Sequence, residues 1–81
     1  MATVNLSSGF QDAAGGVPSV QIEAGTIREL LRLMVERYPE MERLFDEGVA
    51  VSINGDIYRD IRDLTIPPGA EIFLLPRLQG G

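Results

Sequence analysis

The chain contains no cysteine, no histidine and no tryptophan, and all seven of its basic residues are arginine. Without thiolate or imidazole there can be no zinc finger, iron–sulfur cluster, disulfide scaffold, cysteine protease or Ser-His-Asp triad. Without lysine, no side chain carries an amine. Positive charge is also in short supply, with seven basic residues against twelve acidic ones and a net charge of −5. That is the wrong sign for gripping a phosphate backbone, and no basic block offsets it, so no nucleic-acid partner is expected and a basic protein partner suits the chain better. Long apolar runs are missing too: none approaches the ~20 residues needed to span a bilayer, and no charged n-region leads into an apolar stretch at the start. No membrane association and a cytoplasmic location are therefore expected.

What the chain does have is enough apolar content to fold. It is 44% hydrophobic and 23% charged over 81 residues, too apolar for disorder and too short for more than one core.

Thr3 to Ser7 alternate with Val4 and Leu6 inward, the period-2 signature of a half-buried strand. Ser8 to Gly16 breaks that pattern with Gly9, Gly15 and Gly16 among small and polar residues, which reads as a long hairpin connection. A phosphate-cradling loop does not fit, because the Lys and Ser/Thr of a Walker loop are absent. Alternation resumes from Val17 to Ile22, where Pro18 implies an edge strand.

Thr26-Ile-Arg-Glu29 is a capping box, and Ile27, Leu30, Leu31, Met34, Val35 and Tyr38 follow at the spacing of one helical stripe, best read as core. Arg28, Glu29, Arg32 and Glu36 face water. Pro39 ends the helix. Met41, Leu44 and Phe45 suggest one further short helical turn closing the core, with Glu40, Glu42, Asp46 and Glu47 as its solvated face; their spacing fits no calcium loop, and no metal is expected.

Val49, Val51 and Ile53 form a third strand that turns at Asn54-Gly55, a strong hairpin signal, into a short return at Ile57-Tyr58. Ile61, Leu64 and Ile66 are expected to tuck under a surface segment, Pro67-Pro68-Gly69 forces a turn, and Glu71 to Leu75 is the last strand. Two hairpins and one main helix across a mixed sheet of four to five strands make an α+β, β-grasp arrangement, with the first and last strands as parallel central neighbours. Residues 1–76 then form the domain and residues 77–81 a C-terminal diglycine tail.

The main-chain carboxylate of Gly81 is the expected reactive group. Gly80 and Gly81 lack Cβ and can thread a narrow channel, and the tail from Arg77 reaches ~17 Å when extended. A diglycine end is also what a fraying terminus looks like, so the pair alone does not decide. On the last strand, parity assigns Ile72 and Leu74 to the core. Phe73 and Leu75 then lie on the open face beside the small Ala50 and Ser52, as an apolar docking patch continued by Arg77, Leu78, Gln79 and Gly80.

The helix from Ile27 to Tyr38, the run Val49-Ala-Val-Ser-Ile-Asn-Gly-Asp-Ile, the turn Pro68-Gly69-Ala-Glu-Ile, and Leu75-Pro76 leading to Gly80-Gly81 together resemble the ubiquitin-like sulfur carriers. These include the molybdopterin synthase small subunit and the thiamine-biosynthesis sulfur carrier. The resemblance covers nearly the whole chain. It implies a carrier with no bound cofactor and no catalysis of its own, whose Gly81 is adenylated with ATP by a ubiquitin-activating-type enzyme and becomes a thiocarboxylate. The sulfur then passes to a sulfur-using synthase or large subunit, with a sulfurtransferase as a further partner. Where the molybdopterin branch commonly has Pro-Pro-Val, this chain has Pro76-Arg77-Leu78-Gln79; the resemblance favours sulfur donation in molybdenum cofactor biosynthesis and leaves a thiamine or other sulfur pathway open. The Arg77-Leu78-x-Gly-Gly ending is closer to ubiquitin, so a modifier joined through Gly81 to target lysines is the alternative, and an interaction domain with an inert tail is the third.

Overall fold

The computed structural model describes residues 1–59 and 63–76. Five strands form one mixed sheet: β1 (Ala2–Leu6), β2 (Ser19–Ile22), β3 (Val49–Ile53), β4 (Asp56–Arg59) and β5 (Glu71–Pro76). Their order across the sheet is β2-β1-β5-β3-β4, with β1 parallel to β5 and the other pairs antiparallel. The expected β-grasp arrangement is thus observed, with β2 on an edge and the last strand central.

Three helices occur among the described residues: α1 (Ser8–Ala13), α2 (Ile27–Arg37) and α3 (Met41–Glu47). The first corrects the sequence reading, which took Ser8 to Gly16 as a hairpin loop. Gly9 lies within its first turn, and Gly15 and Gly16 are the helix stop. Gly15 sits at φ 73°, the Gly16 N–H donates to the Gln11 carbonyl at 2.7 Å and the Gly15 N–H to the Asp12 carbonyl at 3.4 Å, the bond pair of a Schellman ending. The helix forms because Phe10, Ala13 and Ala14 fall at i, i+3 and i+4, so that one turn buries Phe10 and Ala14 against the core.

Helix α2 starts as its capping box predicts. Thr26 Oγ1 accepts from the Glu29 N–H at 3.2 Å, and Glu29 Oε1 accepts from the Gly25 N–H at 2.8 Å, one residue upstream of the cap itself. Thr26→Ala should cost about 1 kcal/mol by denaturant unfolding, while Thr26→Ser should cost little. Ile27, Leu30, Leu31 and Met34 are buried beneath it, with Val35 and Tyr38 half-buried. On the wet side Arg32 pairs with Glu36, and Arg28 with Asp63 at 3.0 Å; such exposed pairs contribute at most about 1 kcal/mol each. Helix α3 is two turns rather than the single turn expected, and buries Met41 and Phe45. The Phe45 ring meets Phe10 with centroids 5.8 Å apart, so α1 and α3 close one end of the core together.

Asn54 and Gly55, at φ 50° and 98°, make the β3–β4 turn with both central residues left-handed. Asn54 also anchors β5: its N–H donates to the Glu71 carbonyl and its Oδ1 accepts from the Glu71 N–H, both at 2.9 Å. Pro67-Pro68-Gly69 turns as expected, with the Ala70 N–H donating to the Pro67 carbonyl at 3.1 Å and Gly69 at φ 70°. Leu64 and Ile66 pack half-buried against the core; Ile61 lies outside the described residues.

Candidate docking face

Strand alternation gives the sheet two faces. Val4, Leu6, Ile22, Val49, Val51, Ile53, Ile72 and Leu74 are buried with the helices. The other face carries no helix among the described residues, and two kinds of side chain share it.

On its β1–β2 half the residues are polar and uncharged. Thr3 pairs with Gln21 and Asn5 with Ser19; Gln21 Nε2 donates to Thr3 Oγ1 at 2.9 Å, and Asn5 Nδ2 donates to the Ile72 carbonyl at 3.2 Å.

On the β5–β3–β4 half the residues are apolar. Phe73 is opposite Ser52, and Ser52 is opposite Ile57; one step along, Leu75 is opposite Ala50. Phe73 is 43% exposed and Ile57 61%, whereas Ser52 and Ala50 between them keep only 6% and 8%. Small side chains on β3 lie in the floor of a trough whose walls are the larger side chains of β5 and β4. Cross-strand neighbours lie ~5 Å apart, so the row Phe73–Ser52–Ile57 spans only two strand spacings and can be covered by a single partner surface. Leu75 is half-buried beside this row.

The expected parity therefore holds: Ile72 and Leu74 are inside, and Phe73 is on the open face with Leu75 beside it. The sequence pattern assigns Ile57 only to a short return strand and does not place it on this face. The signal was available, because a two-residue Asn-Gly turn sets the register that puts Ile57 opposite Ser52.

β5 ends at Pro76 opposite Val49, so the chain departs from a central strand beside Leu75. Arg77, Leu78, Gln79, Gly80 and Gly81, named from sequence as the rest of the site, lie outside the described residues. Among the described residues no cluster of three or more acidic side chains could hold a metal ion, and no helix is long and apolar enough to cross a membrane.

The ThiS family model matches residues 9–81. No curated protein matches the chain in sequence. Among solved structures, the chain is similar to CysO of Mycobacterium tuberculosis, described as an antigen, with a TM-score of 0.82 and 20% identity over 96% of this chain and 100% of that one. It is equally similar to a chain of the BexX/CysO complex of Amycolatopsis orientalis, with a TM-score of 0.82 and 21% identity over the full length of both. Small archaeal modifier protein 1 of Methanosarcina acetivorans gives a TM-score of 0.82 and 22% identity over 99% of this chain and 95% of that one. At these identities the likeness establishes the fold.

Proposed function

The chain belongs to the ThiS family of ubiquitin-like sulfur carriers, and from that membership we propose that Gly81 is the position at which it is charged with sulfur. The observation carrying the proposal is that the family match runs through Gly80 and Gly81. In this reading the Gly81 carboxylate attacks the α-phosphorus of ATP in the site of a ubiquitin-activating-type enzyme, releasing pyrophosphate and leaving an acyl adenylate. Sulfur delivered at the oxidation level of hydrosulfide then forms a C–S bond at the same carbon, AMP leaves with the electrons of the C–O bond, and the product is a thiocarboxylate. Phosphate ester is a far better leaving group than hydroxide, which is why ATP is consumed and why the chain itself needs no catalytic side chain. Its lack of thiol, imidazole and lysine amine agrees with a cosubstrate rather than an enzyme.

The apolar trough supplies the docking half of the proposal. Phe73 and Ile57 stand on a face that carries no helix among the described residues, and Phe73 is on the strand from which the chain continues toward Gly81, so a partner seated there receives the following five residues in its own active site. The activating enzyme and the sulfur-using synthase use it in turn, with a molybdopterin-type large subunit as the first acceptor to try. The CysO solved with BexX supports a partnered role for this fold.

The test is the intact mass of the protein purified from its own cells. Replacement of one oxygen by sulfur adds about 16 Da. Recovery of Gly81 in isopeptide linkage to lysines would instead favour the modifier role, and an unmodified population under every growth condition would favour neither.

Phe73→Ala tests the face. The side chain is 43% exposed and its neighbour Ser52 is small, so its removal leaves no core cavity and should move the melting temperature by only a few degrees. Affinity for the activating enzyme should fall by roughly thirtyfold, the ~2 kcal/mol of an aromatic anchor at the centre of an interface. Calorimetric titration and a thermal melt read the two quantities separately. A large melting shift with unaltered affinity would reject the assignment.

A further inference from the structure

The sheet has two outer strands, and β2 is the less defended. From Val17 to Ile22 the sequence Val-Pro-Ser-Val-Gln-Ile carries no charge, whereas β4 opens on Asp56 and ends on Arg59. Proteins ordinarily blunt an open edge with charges, or with proline placed where it removes an outward N–H. Pro18 does not do this. The Leu6 N–H donates to the Pro18 carbonyl at 2.9 Å, so Pro18 faces β1, and the Leu6 carbonyl that a residue other than proline would have satisfied takes the Gln11 Nε2 amide at 2.8 Å instead. The alternation of antiparallel bonding then assigns Val20 and Ile22 to β1 as well, and turns the N–H and C=O of Ser19 and Gln21 outward.

We propose that this edge pairs with the same edge of a second copy of the chain, antiparallel about a two-fold axis at Val20. The register is self-complementary. Ser19 of each copy faces Gln21 of the other, so all four outward amide and carbonyl groups of each copy find partners, and the side chains beside them are uncharged. Val20 meets its own symmetry mate. Pro18, whose missing N–H falls at a pair that needs none on this side, comes opposite Ile22. A groove of about 510 Å³ opens at that place, lined by Met1, Ile22 and Leu33 together with the polar Gln21, Glu23, Glu36 and Arg37. Each copy thus offers an exposed Pro18 and, four residues along at Ile22, a groove to receive it. Glu23 falls opposite Val17, so no like charges meet. The contact is independent of the Gly81 reading and leaves the trough of Phe73 and Ile57 free, because that trough lies on the far half of the sheet.

A ladder this short makes a weak, concentration-dependent dimer, below the size of a stable interface. Sedimentation velocity of the full chain, up to about 1 mM, should show it. Ser19→Lys combined with Gln21→Lys sets two ammonium groups opposite each other twice across the axis and should weaken dimerisation about tenfold or more. Ser19→Lys combined with Gln21→Glu sets opposite charges across the same pairs and should dimerise at least as well as the parent. Both variants lose the same Gln21–Thr3 hydrogen bond, and equal melting temperatures confirm equal folding. Amide exchange adds a residue-level readout: the Ser19 and Gln21 amides should gain protection with concentration while those of Val20 and Ile22 stay constant. A monomer at every concentration, equal dimerisation of the two charge variants, or a dimer lost on Phe73→Ala but not on the paired lysine substitutions would each overturn the proposal. So would a monomer whose Ser19 and Gln21 amides become protected only when a partner protein is added, which would give the edge to a foreign strand.

Discussion

Deletion of Gly81 should abolish thiocarboxylate formation and leave the melting temperature unchanged. The two halves of that expectation have separate grounds. Removing one residue draws the terminal carboxylate back by about 3.5 Å, and displacement of a reacting atom by even 1 Å can cost a hundredfold in rate, so the shortened chain cannot present its carbon to ATP. Stability should not follow, because glycine has no side chain, so removing Gly81 takes no apolar side-chain surface out of the core. Gly80→Val should fail by another route: the chain keeps its length and its terminal glycine, but a branched Cβ now has to pass through a channel shaped for glycine. Mass spectrometry after incubation with the activating enzyme, ATP and a sulfur donor reads the products. Undiminished charging of the shortened chain would refute the proposed role of Gly81. Charging of Gly80→Val alone would leave that role standing and remove the narrow channel from it.

The β-grasp order could be derived before the structure because each strand carries its own period-2 pattern and each turn its own chemistry: Asn54-Gly55 and Pro67-Pro68-Gly69 leave the backbone little choice. The same parity argument placed Phe73 outside and Ile72 and Leu74 inside, since only one sheet face can be covered by α2. What could not be read is instructive. Helix α1 is a turn and a half long, too short for periodicity to stand out, and its glycines have the same composition as a loop. Only the position of Gly15 and Gly16 after Phe10, Ala13 and Ala14 marks those two as a stop. α3 was underestimated for the same reason of length. Ile57 was legible only through the register that the Asn54-Gly55 turn sets, and not from the pattern of its own short strand. The row Phe73–Ser52–Ile57 depends on pairing register across three strands rather than on the pattern within any one of them.

Phe10→Ala is expected to cost the fold about 3–5 kcal/mol, a large part of the total stability of a domain this small. Phe10 is among the largest fully enclosed side chains of the molecule, and its ring packs tilted at 44° against Phe45, so truncation empties the junction of α1 and α3. The surroundings are poorly placed to collapse into the space. α1 is pinned at its start by the Ser7 N–H donating to the Leu74 carbonyl at 3.4 Å and by the Gln11 side chain on Leu6, and at its end by the two glycine caps. At about 4–8 °C per kcal/mol for a domain of this size, the melting temperature should fall by tens of degrees. Asp12→Ala, on the exposed side of the same helix, should change stability by less than about 0.5 kcal/mol and serves as the control. Urea unfolding with the slope compared between variants separates lost stability from lost cooperativity. The contrast distinguishes two structures of residues 8–16. If the segment were the hairpin loop that its glycine content suggests, Phe10 would be a peripheral side chain and its loss would resemble that of Asp12. A severalfold difference between the two substitutions is what a short helix sealing the end of the core requires.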